Sequence, residues 1–160
     1  MSVPHPETLP SLSTREAIID VMYRAVIAFD RNDVSLLNSA FAGEDVSFLI
    51  LDRDGNREYQ GISNIRNLLV HGVGPMDSTH MLSNIRVDLK DGADTASVTA
   101  YALAQHCPPG LGGQTDGPKF LVGGEYSIDF VRDATDGPWK AKKWVLDVIW
   151  KQGDASVMGS

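Results

Sequence analysis

The sequence predicts an α+β fold in which a curved antiparallel or mixed sheet wraps over N-terminal helices and forms a cone. Three observations favour this fold. A helical amphipathic pattern covers residues 13–30, β-rich segments dominate from residue 46 onward, and four long strand-like segments end the chain. Helices followed by a run of strands are typical of α+β domains, and a sheet curved over a helix encloses an apolar cavity that can hold a small molecule.

The helices follow a proline-rich segment, residues 1–12, which is predicted to be an extended arm. Ser13 and Glu16 have the spacing of a capping box, so the first helix is expected over 13–30. Its apolar side chains recur every three or four residues: Ile18, Ile19, Met22, Ala25, Val26 and Phe29. Asp33 can cap a second, shorter helix, which carries Leu36, Leu37 and Phe41.

The strands begin with a hairpin that Asp54-Gly55 indicates, and a short helix follows the hairpin. The expected ranges are 46–51 and 57–60 for the hairpin, 63–70 for the helix, and 78–90, 95–107, 119–132 and 140–151 for the long strands. No repeat or linker divides the chain. One domain is therefore expected over 13–154, with a polar tail over 155–160.

Composition excludes several classes of function. The 160 residues carry 14 Lys and Arg against 21 Asp and Glu, a net charge of −7. Nucleic acids and anionic membrane surfaces both need a basic face, so we expect neither as a partner. Cys107 is the only cysteine, which rules out an intrachain disulfide and a cysteine-rich zinc site. Neither a secretory signal nor an apolar run of membrane-spanning length is evident, so a cytoplasmic location is expected.

Histidine and one aspartate carry the candidate chemistry. His80 and His106 each fall in a predicted strand, on faces shared with apolar residues, where an imidazole is costly without a partner. Either could instead be a hydrogen-bonded core histidine. Asp30 ends the first helix, where the helix dipole disfavours a carboxylate, although it could simply form the turn before the second helix. His5 and His71 are interpreted as surface or capping side chains.

Five motifs in the same order resemble the SnoaL-like and scytalone-dehydratase-like branch of the nuclear-transport-factor-2-like superfamily. They are Phe29–Asp33 at a helix end, Thr79–Leu82 and Ala104–His106 around the two strand histidines, Asp136–Lys140 in the last hairpin, and Ile149–Asp154 near the end of the chain. The likeness covers residues 13–154. It implies the cone-shaped α+β fold and a catalytic set of Asp30, His80 and His106.

The resemblance also implies roles for this set. His80 would be the base, Asp30 would orient it and stabilise the imidazolium, and His106 would be a second acid or hydrogen-bond donor. The tyrosines with which the family polarises a substrate carbonyl match Phe29 and either Phe48 or Leu49, and the family's pocket asparagine falls near Tyr126. Tyr126, Tyr101, Phe29 and Phe48 are the candidate substrate contacts.

The predicted function is a cofactor-independent enzyme that acts on a small, largely apolar, oxygenated molecule such as a polyketide or terpenoid intermediate. Dehydration by proton abstraction next to a carbonyl is the leading reaction, with isomerisation or cyclisation as the alternative. A non-catalytic ligand-binding module of the same fold is a second class. Two histidines and an aspartate could also form a metal triad, but the resembled enzymes need no metal, and none is expected here.

Large apolar side chains predict a homodimer or homotrimer. The strand face opposite His80 is expected to carry Met81, Ile85, Val87 and Leu89, and the last strand carries Trp144, Leu146, Val148 and Trp150. If one sheet face lines the cavity, some of these residues must cover the other face. Left in water they would form a larger apolar patch than monomers usually expose.

Overall fold

The structure is a computed structural model that describes residues 3–134 and 136–159. Two helices precede the first hairpin, α1 (Thr14–Arg31) and α2 (Val34–Ala40), and one follows it, α3 (Gly61–Leu68), which is continued by a π-helical turn over Leu69–Val73. The strands are β1 (Ser47–Leu51), β2 (Arg57–Gln60), β3 (Asp77–Asp88), β4 (Thr95–Cys107), β5 (Phe120–Val131) and β6 (Lys140–Gly153).

All six strands form one sheet in the order β2-β1-β6-β5-β4-β3. β1 runs parallel to β6, and every other neighbouring pair is antiparallel, so the sheet is mixed. The α+β fold predicted from the sequence is confirmed. No helix in the described ranges is long and apolar enough to cross a membrane.

Helix α1 fills the concave side of the sheet. Ser13 caps its N-terminus, because the Ser13 Oγ accepts a hydrogen bond of 3.2 Å from the Glu16 backbone N–H, and Asn32 caps its C-terminus in the left-handed conformation. Its buried face packs with side chains of the sheet such as Val98, Ile128 and Trp144. Each large apolar side chain buried in this way contributes roughly 1.5–3 kcal/mol. The core therefore fixes α1 against the strands that carry the histidines.

A β-bulge on β3 corrects one expectation about the outer face. Asn84 has a φ of 55°, and the register with β4 shifts between Ser83 and Arg86. A bulge adds one residue and so reverses the alternation of side chains beyond it. Of the four residues that the sequence placed on the face opposite His80, only Met81 lies on the outer face. The other three pack against the core: Ile85, Val87 and Leu89.

The last strand shows the same effect. Trp144 is buried in the core, Leu146 and Val148 line the inner cavity, and a register shift opposite Gly123 puts Trp150 on the outer face. A Cβ on Gly123 would lie 2.1 Å from the Trp150 indole, so only glycine lets the two strands keep this packing. Some of these four large residues were predicted to cover the outer face, and only Trp150 does so.

Residues 155–158, which the sequence assigns to a polar tail, form a short 3-10 helix, Ala155–Met158. The Asp154 side chain caps it by accepting a 2.9 Å hydrogen bond from the Ser156 backbone N–H. This turn returns to the sheet and contributes Ala155 and Met158 to the wall of the cavity. The end of the described chain is therefore part of the candidate site.

Four large side chains still form an apolar patch on the outer face of β3, β4 and β6. Met81, Tyr101, Ile149 and Trp150 are each between 42% and 54% exposed. We expect light scattering at micromolar concentration to give two or three times the chain mass of 17.4 kDa. Met81→Lys combined with Ile149→Lys should shift the protein towards monomer. Leu9→Lys, which changes an exposed leucine on the N-terminal arm, is the control; a monomeric wild type would contradict the expectation.

Candidate active site

A cavity of about 520 Å³ lies between the concave face of the sheet and the helices. Small residues on β4 make room for it, because Ala102 and Ala104 face inward where larger side chains would fill the space. Phe120 and Val122 on β5 continue the wall. The lining is mostly apolar, with polar groups at only a few positions, which is the usual composition of a small-molecule site.

Asp30 and His80 form a hydrogen-bonded pair at this cavity. The Nδ1 of His80 lies 2.6 Å from Oδ1 of Asp30, and the backbone N–H of His80 donates to Oδ2 at 2.8 Å. Ser78 adds a third bond, from Oγ to Oδ1, at 3.0 Å. Because the carboxylate accepts the proton of Nδ1, the neutral ring carries its lone pair on Nε2. His80 lines the cavity, and Nε2 is therefore the atom that can take a proton from a bound molecule.

The local sequence explains this placement. Asp30 lies in the last turn of α1, just before the left-handed Asn32 ends the helix. Ser78 and His80 are two residues apart on β3, so both side chains point to the same face and reach one carboxylate. Three donors offset the unfavourable position of a carboxylate near a helix C-terminus. Asp30 and His80 are each 13% exposed at the side chain, so water competes little for the pair.

His106 lies beside His80 and is 4% exposed. The two ring centroids are 5.5 Å apart and the planes meet at 85°. Nδ1 of His106 donates to the Phe120 carbonyl oxygen at 3.2 Å. Burial, and secondarily the neighbouring His80, lowers the pKa of His106, so the ring is neutral with its lone pair on Nε2. In this form the Nε2 lone pair of His106 can accept a hydrogen bond, whereas the role predicted from the sequence was that of an acid or hydrogen-bond donor.

The four predicted substrate contacts separate into two groups. Tyr126, Phe29 and Phe48 line the cavity, as expected for ligand contacts. Tyr101 alternates with two buried alanines on β4 and points to the outer face, where it is 51% exposed, so the structure places it away from the cavity. Tyr126 is buried, and its ring meets that of Trp144 edge-on, with centroids 5.0 Å apart.

Sequence reasoning missed the charged residues that line the cavity where it meets solvent, its mouth, at which the side chain of Asp54 is 82% exposed and that of Lys151 is 28% exposed. Lys151 on β6 is in register with His80 on β3, through Ala104 on β4 and Val122 on β5, and its side chain also faces the cavity. Its Nζ donates to both carboxylate oxygens of Asp52, at 2.9 and 3.1 Å, and to Asp54. The hydrogen bond from Lys151 lowers the pKa of Asp52. These contacts hold the β1–β2 hairpin against β6. Simple alternation could not place Lys151, because the shift in register opposite Gly123 decides its face.

A model described as a SnoaL-like domain matches residues 10–145. The chain belongs to the SnoaL-like family. Its fold is cystatin-like, as the resemblance in the sequence implied. Within residues 3–134 and 136–159, no group of three or more histidine, cysteine or acidic residues is arranged to hold a metal ion.

Relatives of this SnoaL-like protein include a fungal protein and two bacterial structures. Terrestric acid biosynthesis cluster protein E of Penicillium crustosum is 39% identical over 150 residues, which are 94% of this chain and 92% of that protein. The hexachlorocyclohexane dehydrochlorinase LinA-type3 of Novosphingobium barchaimii LL02 is 22% identical, with a TM-score of 0.70 over 89% of this chain and 90% of that one. A proposed scytalone dehydratase of Novosphingobium aromaticivorans DSM 12444 is 23% identical, with a TM-score of 0.70 over 88% and 87%.

The depressed pKa of His106 predicts how acid affects this SnoaL-like protein. Between the folded pKa and the ordinary value of about 6.5, the unfolded chain binds more protons at this site than the folded chain does. The contribution of the neutral His106 ring to the free energy of unfolding is therefore complete above about pH 6.5, and it is lost as the pH falls through the pKa of the folded state. In urea titrations, the free energy of unfolding should fall more steeply on acidification for the wild type than for His106→Asn, which keeps a donor for the Phe120 carbonyl but cannot titrate. Parallel curves would contradict the prediction.

Proposed function

We propose that this SnoaL-like protein is a lyase that dehydrates a small, oxygenated secondary-metabolite intermediate by abstracting a proton next to a carbonyl. The observation that carries this proposal is the Asp30–His80 pair at the wall of a largely apolar cavity. A histidine held at Nδ1 by a carboxylate is a base at Nε2 that can act near neutral pH. The low polarity of the surrounding wall strengthens its electrostatic interactions with a bound substrate.

The proposed reaction uses the chain's own residues throughout. Nε2 of His80 takes the proton from the carbon next to the carbonyl, and Asp30 stabilises the imidazolium that forms. The electron pair of the broken C–H bond moves to the carbonyl oxygen as an enolate. When the carbonyl re-forms, a carbon–carbon double bond appears and the C–O bond of the β-hydroxyl breaks. The imidazolium of His80 returns its proton to this oxygen, so water leaves and the enzyme regains its starting protonation.

His106 has a distinct part in this scheme. Because its neutral ring presents a lone pair on Nε2, it can accept a hydrogen bond from the substrate hydroxyl. The rings of His80 and His106 are adjacent, so a hydroxyl held in this way would lie close to the imidazolium that must protonate it. His106 then positions the leaving group, and His80 serves as base and acid in turn.

The relatives support the same class of chemistry. The fungal relative is named for a biosynthetic cluster of an organic acid, which favours a small metabolite over a polymer as the substrate. The dehydrochlorinase and the proposed dehydratase carry names of eliminations, and they share the fold. One name denotes loss of hydrogen chloride and the other loss of water, and both losses include removal of a proton, which the Asp30–His80 pair can perform.

The test is turnover of a panel of β-hydroxy ketones and β-hydroxy lactones, followed by mass spectrometry for the loss of one water. His80→Ala and Asp30→Asn should each lower the rate by roughly 10²–10⁴, because the first removes the base and the second removes the charge that supports the imidazolium. His71→Ala, which changes an exposed histidine in the π-helical turn, should keep the wild-type rate.

The alternatives give different products in the same assay. Exchange of the abstracted proton in deuterated water without loss of water would indicate an isomerase or cyclase that uses the same base. Binding with neither exchange nor elimination would indicate a ligand-binding module. Wild-type turnover by His80→Ala would overturn the assignment of the base.

The proposed mechanism requires no metal ion. Both carboxylate oxygens of Asp30 already accept hydrogen bonds, from Ser78 and His80. We expect the rate to be unchanged after exhaustive treatment with a chelator and dialysis. If the chelator abolishes activity and added zinc or iron restores it, the reaction belongs to a different mechanistic class.

A further inference from the structure

We infer that the Tyr126 hydroxyl holds the carbonyl oxygen of the substrate and stabilises the enolate that forms on it. This inference rests on the proposed function and deepens it by naming the group that polarises the carbonyl. Proton abstraction next to a carbonyl is slow unless a donor meets the developing negative charge on the oxygen. The positions that match the family's tyrosines hold Phe29 and either Phe48 or Leu49, none of which has a side-chain hydrogen-bond donor.

The two histidines cannot supply this donor in their neutral forms. His80 gives its ring proton to Asp30, and His106 gives its ring proton to the Phe120 carbonyl. Each therefore offers only a lone pair to the cavity. A carbonyl oxygen also offers lone pairs, so it must bind elsewhere on the wall.

Tyr126 is suited to this task by its position. On β5, Tyr126 lies four residues, or about 13 Å along the strand, beyond Val122. Val122 is in register with His80 across β4, through Ala104. The intervening inward positions are Ala102 and Gly124, so little side chain separates the two groups. Gly124 cannot carry a side chain, because a Cβ would lie 2.6 Å from the Asp147 carbonyl oxygen.

Tyr126 is also suited by its surroundings. Burial, with a smaller effect of the Asp30 carboxylate, raises the pKa of the phenol, so the hydroxyl keeps its proton as a donor. The edge-on contact with Trp144 fixes the ring, which limits the reorganisation needed when charge develops on the substrate. The other tyrosine of the described lining, Tyr59, lies on the short strand β2 and packs against Phe48.

This donor and acceptor pattern specifies a class of substrate. The molecule must present a carbonyl to Tyr126 and a hydroxyl to His106, with an acidic C–H between them that reaches His80. Between these points the wall is apolar, with Ala102, Val122 and Leu146 among its residues. A cyclic or bicyclic ketone or lactone with a hydroxyl on the β-carbon meets these requirements.

The inference is tested with 1-tetralone labelled with ¹³C at the carbonyl, a bicyclic ketone that has no hydroxyl to lose. Infrared difference spectra should show the carbonyl band of the bound ketone shifted to lower frequency, as expected for an accepted hydrogen bond. Tyr126→Phe keeps the ring against Trp144 but removes the hydroxyl. The carbonyl band of the ketone bound to this variant should return to the frequency seen in an apolar solvent. The affinity of the variant for the ketone should be about five- to tenfold lower than that of the wild type.

Tyr23→Phe is the matched control, since Tyr23 lies on the exposed side of α1, and it should keep the wild-type band and affinity. An unchanged band in Tyr126→Phe, or failure of the wild type to bind the ketone, would overturn the inference. The result is independent of elimination, because the probe cannot be dehydrated. A shifted band together with no turnover of any hydroxy ketone would refute the proposed dehydratase while leaving Tyr126 as the carbonyl donor.

Discussion

The carboxylate of Asp30 is the group on which the arrangement of the site depends. It lies where a helix ends, in the part of the helix that is least favourable for a negative charge, and it is largely shielded from water. Such a group is stable only if several donors meet it. The donors come from one short stretch of β3, from the side chains of Ser78 and His80 and from one backbone N–H. The requirement to satisfy one carboxylate therefore fixes helix, strand and imidazole relative to each other.

The cavity exists because inward-facing positions of β4 and β5 carry small side chains or none. Inward-facing positions of β4 hold alanines where a packed core would hold larger side chains, and Gly124 continues the gap on β5. A wall of small residues next to a buried aromatic cluster of Phe41, Trp144 and Tyr126 gives space with a rigid base. This combination separates two requirements: the aromatic cluster stabilises the fold, and the small residues provide the volume for a ligand.

Much of the fold could be predicted from the sequence because its signals are local. Ser13 and Glu16 mark the start of α1, and each long strand lies within a few residues of its expected range. Asp30, His80 and His106 also meet in one place, as the ordered motifs implied. The errors about which side chains of β3 and β6 face outward share one cause. The register shifts at Asn84 and opposite Gly123 reverse which side of a strand faces inward, and period-two alternation contains no signal for them. The sequence also could not predict which ring nitrogen of His106 carries the proton, because this depends on a hydrogen bond to a carbonyl oxygen of another strand.

The mouth of the cavity has a consequence for how members of this family could diverge. It is built from the hairpin that carries Asp52 and Asp54, from Lys151 and from the turn Ala155–Met158, none of which contributes to the Asp30–His80 pair. Substitutions and changes of length in these segments can alter which molecules enter without disturbing the Asp30–His80 pair. A library of variants confined to these segments would therefore change access to the cavity while leaving the hydrogen bonds of Asp30 and His80 as they are.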